Sequence, residues 1–296
     1  MWQVFDKYMQ FLKADRVFDI DSAMFIVKSM LEKNPISDIY PCVIVDEGQD
    51  FSTNSFSVLR AIAGEEHEND LFIVGDAHQR IYKRKAVLSK CGINIKGRSS
   101  HLRLNYRTTE EIRKYAYSVL TGLSFDNLDG ELDERCESRS FTHGIPPVIN
   151  NFASCSEESE YIIKEINNLV RQGVNTSDIC IVARTNKLLD NYKNTLSSNG
   201  LRCFELKTSK TDERSIEGIR ISTMHRIKGL EFQYVFIVSA NEGIIPFNPA
   251  IDYSDKVTER ETIKAEKCLI YVALTRAQKC VYVTSYGKQS KYLPKI

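Results

Sequence analysis

Short apolar runs alternating with longer segments of helical spacing dominate this chain. The runs at 42–46, 71–75, 147–152, 179–183, 218–222, 234–239 and 279–284 are rich in Val, Ile and aromatic residues and predict strands. Apolar positions recurring every three or four residues predict helices over 4–12, 22–32, 55–63, 109–120, 157–171, 185–198 and 257–275. Strands alternating with helices of this length predict an α/β fold, with a mostly parallel sheet buried on both faces. Ser156 is the expected N-cap of the helix at 157–171 and Gly173 its stop, and Asn199-Gly200 closes the helix at 185–198. The acidic stretch 122–144 lacks periodicity and is expected to be an irregular connection, and a domain change is expected near residue 100.

Composition narrows the class. A chain of 296 residues has room for two domains of roughly 100 to 200 residues each, or for one large α/β unit. With 42% hydrophobic and 27% charged residues it is neither a disordered nor a collagenous protein. Its apolar runs fall well short of the ~18 residues that a membrane span needs. The opening Met1-Trp2-Gln3-Val4-Phe5-Asp6-Lys7 has no basic leader and no continuous apolar segment, so the cytoplasm is the expected location. The eight cysteines, at 42, 91, 136, 155, 180, 203, 268 and 280, form no Cys-x-x-Cys clip and predict reduced, mostly buried thiols rather than zinc ligands. A formal net charge of +1 excludes binding of nucleic acid by bulk charge alone. It conceals eleven Lys or Arg against three acids between Asp76 and Lys114, and six acids against one Arg between Asp126 and Glu137. These stretches are either a local binding patch or two solvated faces of opposite sign.

Several segments carry candidate chemistry. Val43-Ile44-Val45 runs directly into Asp46-Glu47-Gly48-Gln49-Asp50, which places two adjacent carboxylates at the carboxyl edge of a parallel sheet, where open α/β folds bind ligands. Asp46 could hold Mg²⁺ and Glu47 could orient or deprotonate a water; a solvated turn or helix cap is the alternative. Leu71-Phe72-Ile73-Val74 leads in the same way into Gly75-Asp76-Ala77-His78-Gln79, where the Gln79 amide can both donate to and accept from a phosphate or its attacking water. In Asn105-Tyr106-Arg107, Tyr106 offers a flat face for a base and Arg107 a planar fork for phosphate oxygens. Two further segments, Thr223-Met224-His225 through Lys228-Gly229-Leu230-Glu231-Phe232 and Tyr271 through Thr275-Arg276-Ala277, each precede a predicted strand.

In this order the five segments resemble motifs II to VI of superfamily 1 helicases of the UvrD/Rep type, over residues 43 to 284. The resemblance implies RecA-like domains: the C-terminal part of the first over 1–100 and the whole second over 101–296. It also implies an ATP-dependent DNA helicase or translocase that moves 3′ to 5′ on single-stranded DNA and uses ATP with Mg²⁺. By this resemblance Asp46 binds the metal, Glu47 activates the attacking water, and Gln79 couples the phosphate to the nucleic-acid site. Tyr106 stacks on adenine, Glu231 contacts the ribose, Gly229 lies with them at the nucleotide, and Arg107 and Arg276 neutralise the transferring phosphoryl group. Tyr82, Arg84, Thr223 and His225 fall to the single strand.

Three features depart from that pattern. No Gly-x-x-x-x-Gly-Lys-[Ser/Thr] loop occurs in the chain, so the backbone nest for the β- and γ-phosphates has no candidate. The sequence resembles the rest of such an enzyme with its beginning missing, and the expected partner is the amino-terminal portion that carries this loop. After Tyr82, where the family has a stacking aromatic, stands Lys83-Arg84-Lys85-Ala86, which predicts DNA contact through phosphate charge and a steep salt dependence. Only 115 residues separate Arg107 from Thr223, which leaves no room for a large accessory domain. The alternative to a motor fragment is a catalytically inactive half-motor that binds nucleic acid or a partner.

Overall fold

Two separate sets of strands organise the computed structural model, which describes residues 2–34, 36, 40–82, 86–126, 128, 138–207 and 212–294. They belong to two units. The first comprises Met1–Ala77, Tyr82–Ser100 and Phe125–Asp133; the second comprises His78–Ile81, His101–Ser124 and Glu134–Ile296.

The first unit opens with helices α1 (Trp2–Asp15) and α2 (Ile20–Lys33), followed by strand β1 (Val43–Val45), helix α3 (Thr53–Ala63) and strand β2 (Leu71–Ile73). Helix starts are set by side chains that take orphan N–H groups: Asp19 accepts from Ser22 N at 2.6 Å, and Ser52 from Ser55 N at 3.2 Å. β1 and β2 pair in parallel, Val43 with Leu71 and Val45 with Ile73. One face of the pair buries Val45 against Phe56, Leu88, Cys91 and Ile93. The expectation of burial on both faces fails here, because Ile44 and Phe72, opposite each other in the register, are 74% and 61% exposed. Side chains alternate across a strand, and the residues described in this unit cover one side of the pair only.

The second unit is built on a six-stranded, all-parallel sheet in the order β5-β10-β9-β6-β8-β7. In chain order its elements are β3 (Leu104–Asn105), α4 (Glu110–Val119), β4 (Arg139–Ser140), β5 (Val148–Phe152), α5 (Cys155–Arg171), β6 (Ile179–Ala183), α6 (Asn186–Ser198), β7 (Cys203–Glu205), β8 (Ile219–Thr223), β9 (Phe232–Ile237), α7 (Lys256–Leu274) and β10 (Ala277–Tyr286). All five residues of β6 are buried, as expected for a strand with sheet on both sides and helices above and below. Ile162, Ile166, Leu189 and Leu196 from α5 and α6 pack on Ile179, Ile181, Ile219 and Phe236. Phe236 and Tyr282, partners across β9 and β10, stack with centroids 4.4 Å apart.

Differences from the sequence reading have local causes. Ser154, not Ser156, caps α5: its Oγ accepts from Glu157 N at 3.2 Å, while Glu157 Oε2 accepts from Ala153 N at 3.1 Å. The Glu three positions after Ser154 favours this earlier serine, because its carboxylate reaches back to the N–H just before the cap. Of the stretch 122–144, residues 127 and 129–137 lie outside the described residues, and the described part includes β4, which pairs in parallel with β3. Strands of two or three residues, such as β3, β4 and β7, are too short to show a period of two. Of the cysteines, 91, 180, 268 and 280 are buried, Cys203 is half-buried, Cys42 and Cys155 are exposed, and Cys136 lies outside the described residues. Among the described residues no helix is long and apolar enough to cross a membrane.

Glu110 ties β4 to α4. Its buried carboxylate accepts from Arg113 at 2.8 and 2.6 Å and from Ser140 N at 2.7 Å. The Arg113 hydrogen bonds, helped by that of Ser140, hold its carboxyl down at about 2, against burial. A depressed carboxyl stabilises the fold fully above its unfolded-state value of 4.5 and loses that contribution as pH falls through about 2. Glu110→Gln is therefore expected to lower unfolding stability by about 2 kcal/mol at neutral pH, on the scale of hydrogen bonds to charged groups. That deficit should shrink as pH falls from 4.5 towards 2, read by denaturant melts across that range. A deficit independent of pH would rule out the ionised carboxylate as its source.

Candidate functional site

Chemistry in the first unit gathers where β1 ends. Asp46 is exposed there, and one of its oxygens accepts from Glu47 N at 2.8 Å. Glu47 stands at φ +54°, a left-handed conformation that costs a non-glycine residue of order 1 kcal/mol and turns its side chain away from the strand direction. Gln49, almost fully buried, donates from Nε2 to Glu47 Oε2 and accepts from Asp76 N at 2.8 Å through Oε1. One amide thus aims the Glu47 carboxylate and ties it to the end of β2. The turn is tight: a Cβ on Gly48 would stand 2.9 Å from Ile73 Cγ2. Gln49 stands in the same polar run, but the sequence did not single it out as the residue that bonds Glu47.

A Mg²⁺ ion fits this donor set. Magnesium is commonly held by one or two carboxylates together with water and phosphate oxygens, and Asp46 supplies one exposed carboxylate. Among the described residues no cluster of three or more His, Cys, Asp or Glu side chains forms an all-protein cage.

In the second unit, Gln79, Lys228 and Arg276 come together. Arg276, at the end of α7 and 1% exposed, donates to Val272 O at 3.1 Å, Thr275 Oγ1 at 3.2 Å and Gln79 Oε1 at 3.2 Å. Lys228 Nζ donates to the Gln79 carbonyl at 2.9 Å. His78 anchors this turn by packing its ring 5.5 Å from Tyr117 of α4 and 6.0 Å from Tyr271 of α7. Residues from three of the quoted segments therefore meet at one glutamine. Lys228 was legible only as the neighbour of Gly229.

A second group in the same unit contains Tyr106, Arg107 and Glu231. Arg107 Nε pairs with Glu231 Oε1, and Gln278 Nε2 donates to Glu231 Oε2 at 3.0 Å. The phosphate and ribose candidates are thus salt-bridged to each other. Tyr106 is exposed beside them, and Asn105 Oδ1 receives Arg107 N at 2.8 Å. Gly229 has φ +79°, a turn conformation that an L side chain rarely takes, with open space where a Cβ would stand.

The remaining candidates lie at strand ends and loops. Thr223 ends β8, and its Oγ1 accepts from Arg226 N at 3.3 Å. His225 is half-buried near Arg184 and Glu266. Arg184 and Glu266 form a buried two-point pair at 3.0 and 2.5 Å, and Glu266 also accepts from Phe247 N at 2.9 Å. Burial, then the Arg184 charge, push the His225 pKa down, and Glu266 opposes them. Tyr82 is exposed in the first unit. Arg84 lies outside the described residues.

Comparison with known proteins adds the following. The UvrD-like helicase C-terminal domain matches residues 100–211 and 201–288, and the UvrD/REP helicase N-terminal domain matches residues 1–90. A probable DNA helicase of Mycoplasma pneumoniae is 25% identical over 296 residues, covering 96% of this chain and 51% of that protein. A mitochondrial ATP-dependent DNA helicase of Saccharomyces cerevisiae is 26% identical over 207 residues, covering 67% of this chain and 29% of that protein. The ATP-dependent DNA helicase Rep of Escherichia coli is 35% identical over 80 residues, covering 27% of this chain and 11% of that protein. The chain spans about half the length of the Mycoplasma pneumoniae relative and less of the others.

The surroundings of His225 generate a measurable expectation. Its imidazole should titrate below the ordinary value of 6.5 in an NMR pH series, and Arg184→Gln should move it upward, by removing a cation and leaving a carboxylate. An unmoved or lowered titration in the variant would show that Arg184 does not act on this ring.

Proposed function

This chain belongs to the UvrD-like helicase family, and on that premise we propose that it is the motor portion of an ATP-dependent DNA helicase acting on single-stranded DNA in the 3′ to 5′ direction. The observation that carries the reading is the meeting of Gln79, Lys228 and Arg276, in which Arg276 bonds the Gln79 side-chain oxygen and Lys228 its backbone carbonyl, because a glutamine held by cations at both side chain and backbone is suited to sensing an added phosphate.

Each residue has a task in this reading. Asp46 holds Mg²⁺, which when bound neutralises phosphate charge. Glu47, aimed by Gln49, takes the proton from the water that attacks the γ-phosphate of ATP. Gln79 bonds the phosphate or that water and reports the change to Arg276. Arg107 exchanges Glu231 for phosphate oxygens, and the released carboxylate becomes available to the ribose hydroxyls. Tyr106 stacks on adenine, with Gly229 in the turn beside Glu231. Tyr82, Thr223 and His225 contact the single strand, with Arg84 adding phosphate charge, and a neutral His225 does so by hydrogen bonding or stacking rather than by charge.

The sequence holds no Gly-x-x-x-x-Gly-Lys-[Ser/Thr] loop. We therefore assign the β- and γ-phosphate nest to a polypeptide that supplies that loop, the amino-terminal portion of such an enzyme, and take the 296-residue chain by itself to be inactive. The alternative is a catalytically inactive half-motor that binds nucleic acid or a partner.

Phosphate release by the purified chain, with and without single-stranded DNA, tests this. The chain alone should show none. Mixed with an amino-terminal half of a relative that carries the loop, it should release phosphate in a DNA-stimulated manner. Glu47→Gln should abolish that release, and Arg276→Ala should slow it by about 10³-fold, as for arginines that stabilise a transferring phosphoryl group. Release by the chain alone that Glu47→Gln removes would sink the divided-site reading; release in the mixture that survives Glu47→Gln would sink the role given to Glu47.

A further inference from the structure

The short β3–β4 ladder puts a second aromatic beside the proposed adenine-stacking residue. Leu104 pairs with Arg139 and Asn105 with Ser140, so the next positions, Tyr106 and Phe141, leave the ladder side by side. Their rings lie 5.8 Å apart at an interplanar angle of 34°, and the residues are 70% and 72% exposed. Exposed aromatics usually occur singly, and two such rings in contact leave a large apolar surface in water.

Flexible loops also expose aromatics by chance, but the backbone around Phe141 is held on every side. Phe141 N donates to Asn105 O at 2.9 Å, and Arg139 N to Arg103 O at 2.9 Å. Ser140 N donates to the Glu110 carboxylate at 2.7 Å, and Thr142 O accepts from Glu110 N at 2.9 Å. Two residues further on, Gly144 N donates to Glu111 Oε2 at 2.8 Å. A side chain left in solvent on a backbone anchored at neighbouring positions is a preorganised contact surface, which spares a ligand the cost of ordering it.

We propose that Phe141 is a nucleotide-binding residue that forms, with Tyr106, a two-ring platform for the purine of ATP. The inference rests on the adenine role proposed for Tyr106 and deepens it. Two rings offset by 5.8 Å offer a longer surface than one, which suits a bicyclic purine better than a single pyrimidine ring. Arg107, next in the chain to Tyr106 and paired with Glu231, is the arginine proposed above to exchange that carboxylate for phosphate oxygens, which favours a ligand that carries phosphate over an uncharged ring.

Saturation-transfer NMR on the 296-residue chain, with ATP and CTP as probes, tests this at the weak affinity expected of a partial site. In the wild-type chain the adenine protons should take up more saturation than the ribose protons. Phe141→Ala should weaken ATP binding about fivefold or more, as for loss of a base-stacking aromatic. It should change CTP binding less, and Phe141→Trp should restore ATP binding. Phe141 is largely exposed, so an unchanged melting temperature is expected in both variants. If Tyr106→Ala weakens ATP binding while Phe141→Ala does not, the inference is overturned and the role of Tyr106 stands. If the wild-type adenine protons take up no saturation, or Tyr106→Ala has no effect, the nucleotide reading of Tyr106 falls and the platform with it.

Discussion

A guanidinium leaves water at high cost unless its N–H groups are met by acceptors, and the second unit holds three buried arginines whose N–H groups find them. Arg220, wholly buried, is held by Asp212 at 3.0 Å and by the carbonyls of Glu213, Ile216 and Gly218, each at 2.7 Å, with the Phe204 ring 4.9 Å away. Arg184 is matched by Glu266, and Arg276 by Val272, Thr275 and Gln79. Each arginine fixes a segment that the sheet alone would leave loose: 212–218 before β8, the 247 loop beside α7, and the turn that carries Gln79. The last two lie where candidate chemistry gathers, so the requirement that keeps buried charge satisfied also positions the site.

Conformation at the first unit's carboxylates follows a related logic. A residue held at positive φ has to be compensated by its surroundings, and at Glu47 the compensation comes from Gln49, whose amide is satisfied on both sides. Strain and support lie within three residues of each other. The strand directs the chain to the edge of the sheet, the left-handed step turns the carboxylate, and the buried amide holds it there.

Much of the second unit was legible. β6 falls on the residues that the apolar pattern marked, and α6 begins after Thr185 and ends before Asn199-Gly200, as capping chemistry requires. The quoted polar segments also proved to be neighbours in part, since Gln79 and Arg276 touch. Less visible were partners whose importance comes from long-range pairing. Gln49, Lys228, Glu266 and Phe141 look ordinary in a linear reading, and β4 is two residues long. The shift from Ser156 to Ser154 shows how a single glutamate decides between adjacent caps. The exposed Ile44 and Phe72 show that an apolar run states what a residue favours, not what the described chain supplies to cover it.

What the sequence determined by itself was the class of fold, the family and the short list of chemical groups, because periodicity, capping and motif order depend on neighbours within a few positions. Tertiary structure alone decided which of those groups bond to one another. Hydrogen bonds and ion pairs act over about 3 Å, and residues such as Gln79 and Arg276, 197 positions apart, come within that range only when a parallel sheet has set its register.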